Sequence, residues 1–160
     1  MVRPLPHLTM CRLRTALYRL SGISIGSGTL VFGRLELTGR GSIQRRLRIG
    51  ALCSINSPAF FDLNADVTIG DHVSLGHHAV LVTSNHDIGL AAHRGGLLKP
   101  APIVIEDGCL IGARVTILPG VRIGRSAVVA PGSLVAADVP PHKLVGGVPA
   151  RVVKALPPEP

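Results

Sequence analysis

The sequence predicts an all-β fold, a parallel β-solenoid wound from short strands and capped at both ends. Two observations carry this expectation. Aliphatic residues recur every six positions over most of the chain, a period too long for the 3.6 of a helix and too regular for the alternation of an ordinary sheet. Among the 160 residues there is no Trp, one Tyr and three Phe, against 19 Gly and 13 Pro. The core must therefore be stacked layers of small aliphatic side chains rather than an aromatic-centred cluster. The length suits one domain, divided into an N-terminal cap at 1–22, a solenoid at 23–136 and a closing segment at 137–160.

Taken in order, residues 8–20 place Leu13, Leu17 and Leu20 among Arg12, Arg14 and Arg19. That pattern predicts a short basic amphipathic helix covering the first coil. A foot on a membrane surface is the less favoured alternative, because so short a helix binds lipid weakly. The repeat follows as Ile25, Val31, Leu37, Ile43, Ile49, Ile55 and Phe61, then, shifted by two residues, Ile69, Leu75 and Leu81. After an interruption at 82–104 it resumes in frame with Ile105, Ile111, Ile117, Ile123, Val129 and Val135, making sixteen hexads. Small or aliphatic residues four places on, such as Cys53, Val73, Ala79, Cys109 and Val115, share the inward frame. Gly follows the leading aliphatic at Gly26, Gly50, Gly70, Gly76, Gly112 and Gly124, where a sharp turn is expected to need permissive backbone angles. Pro140-Pro141 stops the repeat, and 149–156 reads as a small closing helix before a Pro-rich tail.

The net charge of +8 favours an anionic partner. No aromatic-interleaved basic stretch or nucleic-acid motif accompanies it, so nucleic acid is not expected among the partners. Cys11, Cys53 and Cys109 show neither metal-ligand nor redox spacing. Two of them fall on inward repeat positions, where a thiol acts as a small buried hydrophobe. Free thiols, no membrane-span-length apolar run and no secretory leader together predict a soluble, cytoplasmic protein.

Insertions extruded from a solenoid are where function concentrates, and the one at 82–104 contains Thr83-Ser84-Asn85-His86-Asp87 and His93-Arg94-Gly95-Gly96. His86 is the residue best suited to chemistry, since an imidazole takes a proton from a hydroxyl near neutral pH. Asp87 or a backbone carbonyl is expected to fix its tautomer. Asn85 and Arg94 are candidates for binding an acceptor. His7, His72, His77, His78, His93 and His142 compete with His86; His72, His77 and His78 fall at repeat turns and read as solvated.

Four blocks stand in fixed order: Ser84-Asn85-His86-Asp87, Pro102-Ile103-Val104-Ile105-Glu106-Asp107-Gly108, Ile117-Leu118-Pro119-Gly120-Val121-Arg122-Ile123-Gly124, and Gly147-Val148-Pro149-Ala150-Arg151-Val152-Val153-Lys154. Together they resemble the hexapeptide-repeat acyltransferases, in the branch that acetylates maltose, galactosides and surface polysaccharides. The resemblance implies a left-handed parallel β-helix over residues 25–136 and acetyl-CoA as co-substrate without a metal. It also implies a homotrimer whose sites lie between subunits and a sugar or glycan-precursor acceptor. It puts the general base at His86 and, on an earlier coil, a residue that holds the acceptor or the oxyanion at Asn56. Backbone at Gly112-Ala113 and Ala130-Pro131 would meet the pantetheine arm, with Arg151 and Lys154 near the nucleotide phosphates. The bland reading of Asn56 is a turn residue satisfying its own backbone; that of Arg151 and Lys154 is a cationic helix end. The sequence departs from the family at Leu110, where a Trp is common, at Pro131, where a small residue is usual, and at Ala136-Ala137, where Thr-Lys often stands. Those departures bear on the cofactor groove.

Two other classes are weighed. A γ-carbonic-anhydrase-like zinc hydratase is suggested by Gly76-His77-His78-Ala79-Val80-Leu81, but the motif needs a further His where Val82 stands. A non-catalytic scaffold would have kept the β-helix and lost the chemistry, against which the intact His86 loop argues.

Overall fold

The structure, a computed structural model, describes residues 10–158. His7, the first two positions of the expected helix and the end of the tail lie outside the described residues. The predicted solenoid is present as five complete coils. β1 (Ser24–Ile25), β2 (Leu30–Val31) and β3 (Leu35–Thr38) form the first, and β4 (Leu47–Ile49), β5 (Ser54–Ile55) and β6 (Ala59–Asp62) the second. β7 (Val67–Ile69), β8 (Ser74–Leu75) and β9 (Val80–Leu81) form the third, after which β10 (Ser84–Ile88) and β11 (Gly95–Pro100) leave the coil as an antiparallel hairpin. The fourth coil is β12 (Ile103–Ile105), β13 (Leu110–Ile111) and β14 (Thr116–Ile117), and the fifth β15 (Arg122–Ile123), β16 (Val128–Val129) and β17 (Leu134–Val135).

Corresponding strands stack in parallel into three faces. Face A is β1-β4-β7-β12-β15 and face C is β3-β6-β9-β14-β17. Face B is β2-β5-β8-β13-β16, extended by β18 (Lys143–Gly147) and β19 (Ala150–Ala155). The six-residue period is thus the length of one strand plus one corner. Each corner sends one side chain per strand inward, and Val31, Ile55, Leu75, Ile111 and Val129 make a fully buried column behind face B.

Every departure from the period falls at the edge where face C passes to face A. A 3-10 turn at Ile43–Arg46 lengthens the first passage, so Ile43 heads no strand, contrary to the hexad reading. Extra residues at 63–66 produce the two-residue frame shift, and the β10–β11 hairpin fills the third passage. The glycines that follow the leading aliphatics are needed for a reason other than the one expected. Gly76 and Gly112 have no positive φ; a Cβ on Gly76 would stand 2.5 Å from Ala113 N, and one on Gly112 2.5 Å from Pro131 N. Close stacking of coils excludes a side chain there. The left-handed corner positions fall elsewhere, and several are held by non-glycine residues such as His72, His78 and Arg114.

Both caps differ from the sequence expectation in an instructive way. Helix α1 (Cys11–Leu20) covers the first coil, but with Arg14, Thr15 and Tyr18 facing it, while Leu13 and Leu20 are 45% and 84% exposed. The open end of a parallel solenoid presents unpaired amides and carbonyls, so its cap must bring polar atoms. Thr15 Oγ1 accepts from Val31 N at 3.0 Å, and Tyr18 Oη accepts from Leu35 N at 2.8 Å. Arg14 donates to Val31 O at 3.3 Å, and Arg19 to Ile25 O at 2.9 Å and to Gly26 O. At the other end, the closing helix expected at 149–156 is instead β19, antiparallel to β18. Consecutive Val152 and Val153 favour a strand, and pairing gives the outer edge of β18 the partner that a helix would have left it without.

Candidate active site

The inserted hairpin is fastened to the coil below it through its first residues. Asp62, only 7% exposed, accepts from the Asn64 amide at 2.6 Å and from the Ser84 hydroxyl. Thr83, fully buried, donates to Asp62 O at 2.8 Å and accepts from Ala65 N at 3.0 Å. A buried carboxylate needs such donors, and here they hold the root of β10. Periodicity gave no hint of Asp62 or Asn64: Asp62 ends β6 one place after the inward Phe61, and Asn64 sits in the passage that follows.

His86 lies on β10, opposite Leu98 of β11, just before an irregularity in the pairing between His86 and Ile88. Its Nδ1 is 2.8 Å from the carbonyl oxygen of Gly96. A carbonyl only accepts, so Nδ1 carries the proton and the neutral ring has a bare Nε2. A backbone carbonyl therefore fixes the tautomer. Gly96 is required for the approach, since a Cβ there would lie 2.7 Å from Asp87 O. Asp87, the other candidate, turns its carboxylate to Lys99 at 2.8 Å. Asn85 Oδ1 accepts from His86 N at 2.8 Å, and Arg94 donates to Gly89 O at 3.1 Å, bracing the hairpin tip. The ring of His86 and both of these side chains are exposed.

The remaining candidates collect on a different edge, where face B passes to face C. Asn56, Gly76, Gly112 and Ala130 stack there, joined by backbone bonds from Asn56 N to Leu75 O, Gly76 N to Ile111 O, Gly112 N to Val129 O and Ala130 N to Val145 O. Ala113 and Pro131 stand one residue further around the same corner. The Asn56 amide donates to Leu75 O at 3.1 Å. Its oxygen remains directed to no protein donor among the described residues. Leu110, 48% exposed, flanks this edge on face B. Arg151 and Lys154 lie on β19, three strands beyond β13 toward the C-terminal end, or about 14 Å. The edge is thus a strip of nearly bare backbone, apolar at its side and cationic at one end. Within one chain His86 and Asn56 belong to different edges of the prism.

Of the other histidines, His93 is exposed and His142 has a buried Nδ1 without a hydrogen-bond partner among the described residues. His72, His77 and His78 are exposed at corners, with His77 Nδ1 2.7 Å from Ser57 O. Among the described residues, no three His, Cys, Asp or Glu side chains come together as a metal site. Cys53 and Cys109 are buried on their inward positions. Burial pushes both thiols up, Cys109 to about 11.

Residues 102–137 match the family model described as bacterial transferase hexapeptide (six repeats). A hexapeptide-repeat-containing acetyltransferase from Vibrio cholerae superposes with a TM-score of 0.85 at 33% identity, covering 98% of this chain and 85% of its own. The same enzyme in complex with acetyl coenzyme A gives 0.82 at 34% identity, covering 92% and 78%. Galactoside O-acetyltransferase of Escherichia coli is 37% identical over 90 residues, which is 56% of this chain and 44% of that enzyme. The 2,3,4,5-tetrahydropyridine-2,6-dicarboxylate N-acetyltransferase of Staphylococcus aureus is 45% identical over 73 residues, 44% of this chain and 30% of that one. The chain spans less than half the length of these curated relatives.

Proposed function

Since the chain belongs to the hexapeptide-repeat acetyltransferase family, we propose that it transfers acetyl from acetyl-CoA to a sugar hydroxyl, with His86 as general base. The observation that carries this reading is the bond from His86 Nδ1 to Gly96 O, which leaves Nε2 bare on an exposed hairpin. Nε2 takes the proton of the acceptor hydroxyl as its oxygen attacks the thioester carbonyl, and returns that proton to the departing thiolate. The second amide hydrogen of Asn56, the one not given to Leu75 O, supplies a donor for the developing oxyanion. Gly112, Ala113, Ala130 and Pro131 cradle the pantetheine arm beside Leu110, and Arg151 and Lys154 meet the phosphates. Because His86 and Asn56 occupy separate edges of one chain, the complete site is shared by neighbouring subunits of a trimer, with Asn85 and Arg94 facing the acceptor.

The acceptor is read as a hydroxyl of a polysaccharide or glycan precursor in the cytoplasm, in line with the likeness to galactoside O-acetyltransferase. An amine acceptor is the second reading, favoured by the 45% identity to the Staphylococcus aureus N-acetyltransferase. Acetyl transfer to a panel of sugars and amino sugars separates the two, because hydroxylamine releases acetyl from an ester and leaves an amide intact. The catalytic assignment predicts that His86→Ala lowers kcat at least about a hundredfold, whereas Asp87→Asn stays within about threefold, since only an exposed ion pair is lost. Near-normal turnover by His86→Ala refutes the role.

A further inference from the structure

The cap helix turns an apolar row away from the protein. Leu13, Leu17 and Leu20 lie within an arc of about 60° on the helix, which Met10 precedes as its N-cap, and Leu17 is half-buried at the margin of the row. Met10, Leu13 and Leu20 are 55%, 45% and 84% exposed, because Arg14, Thr15 and Tyr18 take the contact with the first coil. Arg12 and Arg19 occupy the adjoining side. The first passage adds Arg40 and, in its 3-10 turn, Arg45, beside Gln44, which approaches Gly22.

Charge is segregated in the same place. The first 50 residues contain nine Arg and a single acid, Glu36. Beyond Gly50, eight cations and eight anions cancel. The whole net charge of +8 therefore belongs to the cap and the first coils. Arg12, Arg34, Arg40 and Arg45 enter none of the four ion pairs among the described residues.

We propose that this end of the solenoid docks on an anionic lipid surface, with Met10, Leu13 and Leu20 in the acyl boundary and the arginines among the headgroups. An exposed aliphatic row beside arginines is what an interfacial helix requires, and unbalanced positive charge is what an anionic leaflet attracts. Nucleic acid would engage the arginines and leave the leucines in water. A second copy meeting the same end would set like charges against each other.

The test is cosedimentation of the full chain with vesicles of phosphatidylcholine alone or with about three parts in ten phosphatidylglycerol. Particle mass and circular dichroism are recorded for each variant. Wild type is expected to bind the anionic vesicles at least about tenfold more tightly than the neutral ones, and to weaken at about 0.5 M salt. Leu13→Ser with Leu20→Ser should lose at least about tenfold with mass and fold unchanged, and Arg40→Glu with Arg45→Glu should lose the preference for anionic lipid. Absence of binding by wild type overturns the proposal. So does binding indifferent to the leucine variant. Dissociation of the oligomer by that variant, which would make the row a subunit contact, overturns it as well.

Discussion

At the scale of single residues, the imidazole of His86 and the thiol of Cys109 show opposite uses of environment. His86 is held by one bond to the Gly96 carbonyl and left open to solvent on its other nitrogen, so it can exchange a proton with a ligand. Cys109 is enclosed, its thiol donating to Gly124 O at 3.2 Å, and burial pushes it from 9.0 to about 11. The folded state therefore holds this proton more tightly than the unfolded state does. Stability from that difference is complete below about pH 9 and is lost as pH rises through about 11. Tyr18, also raised by desolvation, acts with the same sign. Thermal melts of wild type should accordingly hold level toward pH 9 and then decline. Cys109→Ala, although less stable throughout because it leaves a small void, should decline less steeply. A variant with an unchanged alkaline slope would show that the thiol does not carry the effect.

At the scale of elements, the hairpin that carries His86 is only as well placed as its root. Asp62 receives the donors of Asn64 and Ser84 inside the fold, so Asp62→Ala leaves both without their acceptor, a loss of about 1–3 kcal/mol. Hydrogen exchange should rise through 84–100 while the amides of β13 and β16 stay protected, and turnover should fall about tenfold through displacement of His86. Uniform exchange across the molecule would instead identify Asp62 as a general stabiliser. Beyond Thr83 and Ser84 at the start of the loop, this network was not legible beforehand, because the hexads mark inward aliphatic positions and Asp62 stands beside one of them, whereas the faces were read almost strand by strand. Ile43 was the exception: it kept the period by coincidence while sitting in a 3-10 turn. The N-terminal helix was expected and is present, but the polar face it turns to the coil and the strand that closes the other end were not legible, for a shared reason. Apolar patterning reports which face meets a dry core, but the ends of a parallel solenoid present backbone donors and acceptors. Those are met by Thr15 and Tyr18 at one end and by a sixth-coil hairpin at the other. His86 and the BC-edge residues were singled out as candidates from motif order, while the choice between Asp87 and a backbone carbonyl as the partner of His86 was visible only once the hairpin's pairing was known.

At the scale of the whole molecule, the two halves of the proposed site lie at different edges of one chain. His86 projects from the CA edge, and Asn56, Gly112 and Ala113 line the BC edge. The hairpin also carries Ile88, Leu90 and Leu97 at 86%, 84% and 80% exposure, more apolar surface than an isolated hairpin keeps in water without a partner. The proposed trimer accounts for both by laying the hairpin of each subunit over the BC edge of the next. This arrangement predicts complementation between two inactive variants, His86→Ala, which lacks the base, and Ala113→Glu, which puts a carboxylate into the cofactor strip. In a trimer mixing the two, a single interface pairs an intact hairpin with an intact edge. Mixed trimers isolated through two different affinity tags should therefore regain about one third of wild-type activity, although each parent alone is inactive. If each chain instead formed its own site, every subunit of the mixed trimer would carry one lesion, and activity would stay at the level of the parents.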